Sequence, residues 1–128
     1  MSILKSQLVE NHPRYAPSLS LLAVLSQLMG RYKDAEPLYT QTMSIMKSQL
    51  GEDHPNYATS LHNLAELYQS MGRYEDAELP YLQAMSIYKS ELGENHPSYA
   101  TSLSNLAVLY GLMGRYKDAE PLYTQTMS

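Results

Sequence analysis

The chain has 128 residues, and its 9 basic and 13 acidic side chains give a formal net charge of −4. That length fits one domain or an array of small units, and the charge balance argues against a nucleic-acid partner. No run of 18 apolar residues occurs, so we expect no membrane span and no membrane partner. The absence of cysteine excludes disulfides and thiolate nucleophiles. The first residues lack the apolar core of a signal peptide, so we expect a cytoplasmic protein.

The sequence repeats itself with a period of 42 residues. His-Pro recurs at 12–13, 54–55 and 96–97, and Gly-Arg-Tyr recurs with the same spacing. Periods between 20 and 50 residues are typical of stacked arrays. We therefore expect one solenoid domain over residues 1–128, made of the repeats 2–43, 44–85 and 86–127. In each repeat, a helix A is expected after His-Pro and a helix B after Gly-Arg.

The first repeat departs from the other two. Residues 2–8 match residues 44–50, which form the second half of a predicted helix B. In the helix A that follows, Pro17 should delay the start or bend the helix. Ser26 stands where the other repeats have tyrosine, which removes a large aromatic side chain from the predicted core. Such changes are typical of an end repeat.

Helix A of the second repeat has clear start and stop signals. Asp53 or His54 is expected to cap it, and Pro55 lies in the first turn, where a missing N–H costs no bond. Apolar residues then follow at helical spacing and form the predicted apolar stripe, which consists of Tyr57, Leu61, Leu64, Ala65, Tyr68 and Met71. Gly72 is expected to end this helix.

Helix B of the second repeat is expected from about Tyr74 to the residue before Gly93. The outer repeats contain Glu-Pro-Leu-Tyr here, whereas the second contains Glu-Leu-Pro-Tyr. This transposition moves the proline one residue deeper into the helix. We therefore expect Pro80 to disturb its helix more than Pro37 and Pro121 disturb theirs.

The third repeat shares 34 of 42 positions with the first and stops halfway along a helix B. The two ends are expected to leave different but complementary apolar side chains uncovered. Such contacts run head to tail, so we expect weak self-association. The side chains concerned are Tyr116, Ala119, Tyr123 and Met127 at one end and Ile3, Leu4 and Leu8 at the other.

The repeat resembles the tetratricopeptide (TPR) repeat. The residues on that family's signature positions are Leu64, Ala65, Tyr68, Gly72, Tyr74, Ala77, Tyr81 and Ala84. The usual TPR period is about 34 residues, and the eight extra residues would lengthen helix B by about 12 Å. The long period and the motif Gly-Glu-Asp-His-Pro resemble the kinesin light chain type of TPR repeat. Similar repeats of this length occur in long bacterial arrays.

This resemblance implies an all-α, right-handed α-solenoid of three TPR-like helix-turn-helix repeats with extended B helices. It implies a protein–protein interaction scaffold and no enzyme. It also implies that the A helices line a concave groove that binds a protein or peptide. The candidate groove residues are Leu21, Val24, Thr59, His62, Asn63, Glu66, Gln69, Thr101, Ser104, Asn105 and Val108.

The groove chemistry predicts which ligands fit. Asn63 and Asn105 match the asparagine that binds peptide backbone in related grooves. No Lys or Arg falls on the groove positions, so a terminal carboxylate or an acidic peptide would find no partner. A neutral to apolar peptide, or one with a basic residue facing Glu66, fits better. The alternative is a structural repeat that stacks head to tail and binds no specific ligand.

Other chemistries have weaker support. His12, His54 and His96 lie one repeat apart, too far from one another to share a metal whose ligands lie about 2 Å away, so we interpret them as helix-start residues. His62 and Glu66 share a helix face, but a third group is missing. The sequence therefore predicts no metal, no cofactor and no catalytic residue. The tyrosines fall on the core stripe, where packing is a better interpretation than base stacking.

Overall fold

The computed structural model describes the backbone of residues 15–127 and the side chains of residues 18–126. Every regular element in this part of the chain is an α-helix, as the sequence predicted. The predictions made for residues 2–8 and for His12 lie outside the described residues. The helices are α1 (Tyr15–Leu28), α2 (Tyr32–Leu50), α3 (Pro55–Ser70), α4 (Tyr74–Leu92), α5 (Pro97–Leu112) and α6 (Tyr116–Met127).

Histidine caps the second and third A helices. The Nδ1 atom of His54 accepts a hydrogen bond from the backbone N–H of Asn56 at 3.0 Å, and His96 binds the N–H of Ser98 in the same way. Proline follows each histidine as the first helical residue, where its missing N–H would have no helical acceptor. The interpretation of these two histidines as helix-start residues is confirmed. Within residues 15–127, no group of three His, Asp or Glu side chains is placed to hold a metal ion.

Glycine ends the long B helices. Gly51 and Gly93 adopt φ of +95° and +92°, a region that other residues enter at a steric cost. The Gly51 N–H donates to the Lys47 carbonyl at 3.0 Å and closes the last turn of α2. As a result α2 and α4 each reach 19 residues, which agrees with the predicted extension of helix B. No helix in the described part of the chain is long and apolar enough to cross a membrane.

The helices pack mainly against their neighbours along the chain, and one core continues from repeat to repeat. Alanines such as Ala65 and Ala77 are fully buried where helices approach one another. Leu67 and Leu109 are also fully buried, although the predicted apolar stripe omitted such positions. An A helix inside an array contacts the B helix of its own repeat and the B helix before it, so its buried face is wider than one stripe.

The prediction that Pro80 disturbs its helix more than Pro37 was wrong, because α2 and α4 run through these prolines with equal length. In α4 the Ala77 N–H already donates to the Arg73 carbonyl, and Ala35 makes the equivalent bond in α2. Both prolines therefore lie beyond the free first turn. Each removes one backbone bond, so the transposition changes little in the backbone.

The transposition changes packing instead. Pro80 is buried, while the neighbouring Leu79 is 61% exposed. In α2 the order is reversed, so Leu38 packs against the core and Pro37 faces solvent. The second repeat therefore places a smaller side chain in the core and a larger apolar one in water.

Candidate peptide-binding surface

The eleven predicted groove residues lie on the A helices, and none is fully buried. We call them together the A-helix surface. Within α3 each of them lies three or four residues from another, with His62 and Asn63 adjacent, which places them along one side of the helix. Six are exposed: Leu21, Val24, Thr59, Glu66, Thr101 and Val108. The other five are half-buried: His62, Asn63, Gln69, Ser104 and Asn105.

His62 joins the A helices of neighbouring repeats. Its Nε2 atom lies 3.4 Å from Nδ2 of Asn105 on α5 and 3.7 Å from a carboxylate oxygen of Glu66. The imidazole also meets the Tyr81 ring edge-on, at 5.5 Å between centroids. Its side chain is only 16% exposed. His62 is therefore packed between the two A helices and is not a freely solvated side chain.

Two glutamines face the tyrosines of their own repeats. The Tyr81 hydroxyl donates to the Gln69 amide oxygen at 3.0 Å, and the Tyr39 hydroxyl donates to Gln27 at 2.7 Å. Burial, followed by the charge of Glu66, raises the pKa of both tyrosines, so both hydroxyls stay neutral donors. Gln69 therefore carries a structural bond that reduces its capacity to bind a ligand.

The other polar residues of the A-helix surface differ in whether their side chains already have a hydrogen-bond partner. The Thr59 hydroxyl lies 2.6 Å from the Tyr88 hydroxyl, and Asn105 contacts His62. The Asn63 amide, by contrast, has no hydrogen-bond partner among residues 15–127. Of the two asparagines that match a backbone-binding position, Asn63 is therefore the more available.

A cluster near the helix A–helix B turns of the second and third repeats was missed by sequence reasoning. Arg73 lies over the Tyr68 ring, 4.4 Å from its centroid, and forms ion pairs with Glu36 at 3.1 Å and with Asp76 at 2.8 Å. The Tyr68 hydroxyl also donates to Glu36 at 3.3 Å. Since Glu36 belongs to the preceding helix B, these residues hold two repeats together. We call this arrangement the arginine clamp.

The arginine clamp recurs one repeat later with the same geometry. Arg115 lies 4.2 Å from the Tyr110 ring centroid and forms ion pairs with Glu78 at 3.0 Å and Asp118 at 2.9 Å. The recurrence of arginine and glutamate at the 42-residue period was the sequence signal that could have revealed it. No Lys or Arg lies on the A-helix surface, where Glu66 is the one formal charge.

The first repeat lacks the aromatic part of the clamp. Ser26 occupies the position of Tyr68 and Tyr110 and is buried. Arg31, the equivalent of Arg73, forms no ion pair within the described part of the chain. This agrees with the departure of the first repeat from the pattern of the others.

Comparison with known proteins points to one architecture. A family model described as the tetratricopeptide repeat matches residues 14–90 and 81–128. The crystal structure of BtubC (BKLC) from P. vanneervenii has 26% identity and a TM-score of 0.84, over 97% of this chain and 49% of that one. A protein of Podosopora anserina, described as a kinesin light chain with nearly identical TPR-like repeats, has 30% identity and a TM-score of 0.85, over 98% of this chain and 60% of that one.

The same fold occurs in a more distant protein. The TPR domain of Arabidopsis FLU has 14% identity and a TM-score of 0.77, over 89% of this chain and 92% of that one. The present chain spans about half to three fifths of the length of the first two structures. No curated protein matches the sequence.

Proposed function

Because the chain belongs to the tetratricopeptide repeat family, we propose that it is a protein-interaction module that binds an extended peptide in a groove formed by its A-helix surface. TPR repeats generally mediate protein–protein interaction, and the role proposed here is binding without catalysis. The observation that carries the proposal is the contact between His62 and Asn105, which joins the A helices of two repeats into one exposed surface.

The surface chemistry favours an uncharged or basic peptide. It offers amides, hydroxyls and apolar side chains, with the carboxylate of Glu66 near its middle. An acidic side chain or a terminal carboxylate would be desolvated there without a cationic partner, which is costly. A basic side chain can face Glu66, which is half exposed.

Selection from a random 12-residue peptide library displayed on phage tests this function. The double substitution N63A/N105A removes two amides able to bind peptide backbone, and each lost hydrogen bond costs about 1 kcal/mol. We expect the selected peptides to bind this variant at least about tenfold more weakly than the wild type. The matched control is Q83A/S86A, which alters two exposed residues of α4.

Fluorescence anisotropy with synthetic peptides then tests the charge preference. Basic and neutral versions of a selected peptide should bind more tightly than an acidic version of equal length at physiological salt. Failure to select any peptide would contradict the proposed function. Tighter binding of the acidic version would contradict the proposed ligand chemistry.

Head-to-tail self-association is the second candidate. The sequence of residues 112–128 is identical to that of residues 28–44. In α2 this sequence packs Tyr39 against the buried Leu64 and Leu67 of α3. The equivalent residue in α6, Tyr123, is exposed, and so are the equivalents of those two leucines in α1, which are Leu22 and Leu25. The α6 helix of one copy therefore fits α1 of another.

The exposed end face is narrower than the sequence predicted. Ala119 was expected to be uncovered, but it is 4% exposed and belongs to the core cluster that includes Leu106. Alanine at this position packs against helix A of its own repeat, as Ala77 does in α4. Tyr116 and Tyr123 remain as the exposed aromatic residues of α6.

Light scattering over a hundredfold concentration range tests self-association. The wild-type mass should rise with concentration, and both L25K and Y123K should abolish the rise, because each places a charge in the proposed contact. The matched control Q83K should behave as wild type. A constant monomeric mass for the wild-type chain would contradict this candidate.

A further inference from the structure

A pocket of about 190 Å³ opens beside the A-helix surface between the first two repeats. An engineered cavity of about 150 Å³ in another protein holds benzene, so this pocket has room for one medium-sized side chain. Helices α1, α2 and α3 all contribute to it. The residues that matter here are Ser20, Tyr39, Thr42, Met46, Ser60 and Asn63.

Four of the five hydroxyl groups that line the pocket are already bonded to the protein, and the fifth belongs to Ser20. Thr42 and Ser60 donate to backbone carbonyls of the preceding turn, at 2.9 and 2.6 Å. The Tyr39 hydroxyl donates to Gln27, and no charged side chain among residues 18–126 lines the pocket. With these donors in use, the pocket favours an uncharged, largely apolar group.

The rim of the pocket has unused polar groups. The side-chain amides of Asn56 and Asn63 line the pocket, and neither has a hydrogen-bond partner in the described part of the chain. Each amide can both donate and accept a hydrogen bond. They can therefore bind the peptide backbone on either side of a side chain that enters the pocket.

The next repeat fills the equivalent space with its own side chains. His62 stands in place of Ser20, and Tyr88 stands in place of Met46. The His62 ring packs against Tyr81, and the Tyr88 hydroxyl reaches Thr59. The larger side chains at these two positions restrict the space between the second and third repeats.

We infer that the pocket between the first two repeats is the specificity site of the module, and that it takes one uncharged apolar side chain from an extended segment of a partner protein. This inference rests on the proposed peptide-binding function. Leucine, isoleucine, methionine and phenylalanine are the side chains whose size and polarity suit it. A charged side chain would lose its hydration there and find no partner.

The repeats themselves supply the test variant. S20H/M46Y introduces at these two positions the residues found 42 positions later, His62 and Tyr88, and should fill the pocket. The matched control is Q83Y/S86H, which places the same two residue types on the exposed face of α4, outside the A-helix surface. For a peptide selected on the wild type, we expect S20H/M46Y to bind at least about tenfold more weakly and Q83Y/S86H to bind unchanged. Replacement of one leucine, isoleucine, methionine or phenylalanine of the peptide by Ala or Asp should give the same loss.

The outcomes separate this inference from the proposed function. If S20H/M46Y retains the wild-type circular dichroism and binds the peptide equally well, while N63A/N105A has lost binding, the pocket inference is wrong and the function stands. A selected peptide whose essential residue is charged also overturns the inference. If no peptide is selected, both proposals fail.

A second measurement avoids reliance on the folding of the variant. In wild-type protein carrying ¹³C-methyl methionine, the selected peptide should shift the Met46 methyl signal. Met85 packs in the core and does not line this pocket, so its signal should stay in place. An unchanged Met46 signal at saturating peptide would overturn the inference.

Discussion

At the first junction, between the first and second repeats, Arg73 lies 4.4 Å from the Tyr68 ring and 3.1 Å from Glu36. At the second junction, between the second and third repeats, the corresponding distances around Arg115 are 4.2 and 3.0 Å. On the side of the A-helix surface the two junctions differ. A pocket opens at the first, whereas the second carries His62 and Tyr88 at the equivalent positions.

This difference shows that each repeat has two separate tasks, which are to stack against its neighbours and to shape the A-helix surface. Stacking requires the same contacts at every junction, and the arginine clamp is repeated with distances that agree within a few tenths of an ångström. The A-helix surface makes fewer obligatory contacts, so its side chains can change from repeat to repeat. Variation on this side gives neighbouring junctions different shapes without altering how they stack.

The largest expected effect comes from removing the side chain that fills the second junction. Tyr88 is 7% exposed, and truncation of a buried aromatic residue costs about 3 kcal/mol. Met46, the equivalent residue at the first junction, is half-buried beside the pocket. We expect Y88A to lower the free energy of unfolding by about 3 kcal/mol and M46A by about 1 kcal/mol. Urea unfolding followed by circular dichroism measures both, and equal losses would contradict the comparison.

The transposed proline gives the next effect. The swap L79P/P80L moves a leucine from solvent into the core position that Leu38 occupies at the first junction. Since the helix keeps one proline beyond its first turn, the backbone cost stays similar. Partial burial of the leucine should stabilise the chain by about 1 kcal/mol, measured as a higher urea midpoint.

The reverse swap is the matched control. P37L/L38P gives α2 the order found in α4, and we expect a loss of about 1 kcal/mol. An unchanged urea midpoint in both swapped variants would show that the position of this leucine has no energetic consequence.

The arginine clamp predicts equal effects at the two junctions. Lysine keeps the charge but loses the planar contact with the ring and the forked hydrogen bonding of arginine. R73K and R115K should each lower the free energy of unfolding by about 1 kcal/mol. R31K, in the repeat without the aromatic partner, should stay within about 0.5 kcal/mol of wild type. A loss for R31K as large as that for R73K would argue against the stacking of arginine on tyrosine.

Much of the fold could be predicted because its signals are local. His-Pro at a helix start and glycine at a helix end act through the backbone of a few neighbouring residues, and the 42-residue period orders the helices. The effect of Pro80 was misjudged although the helix begins at Tyr74, as the sequence predicted. The error lay in the length of the free first turn, because the N–H groups of Ala35 and Ala77 are already bonded and the prolines of both helices lie beyond them.

Contacts between repeats were harder to predict. The partners in the clamp, Glu36 and Arg73, lie 37 residues apart, and a periodic pattern alone does not say which polar residues of two repeats meet. The candidate groove positions of the A helices came from the resemblance to the TPR family, and they do not follow the apolar stripe. The pocket could not be predicted, since it depends on how Ser20 and Met46 differ in volume from His62 and Tyr88 once three helices have packed.

The smallest expected effect is a change in how steeply the stability of the fold decreases at high pH. It tests whether the two arginine clamps respond alike. Burial raises the pKa of Tyr110 to about 12, and its hydrogen bond to Glu78 at 2.8 Å acts in the same direction. The unfolded value is about 10, so the neutral hydroxyl stabilises the fold fully below pH 10, and this stabilisation is lost as the pH rises towards 12. Y110F should therefore lose stability less steeply than wild type between pH 10 and 12.

Burial and Glu36 raise the pKa of Tyr68, so Y68F should behave in the same way. The exposed Tyr116 supplies the control Y116F, and urea midpoints at pH 8, 10, 11 and 12 give the slopes. Identical slopes for Y110F and wild type would contradict the assignment of a neutral, buried hydroxyl to the clamp.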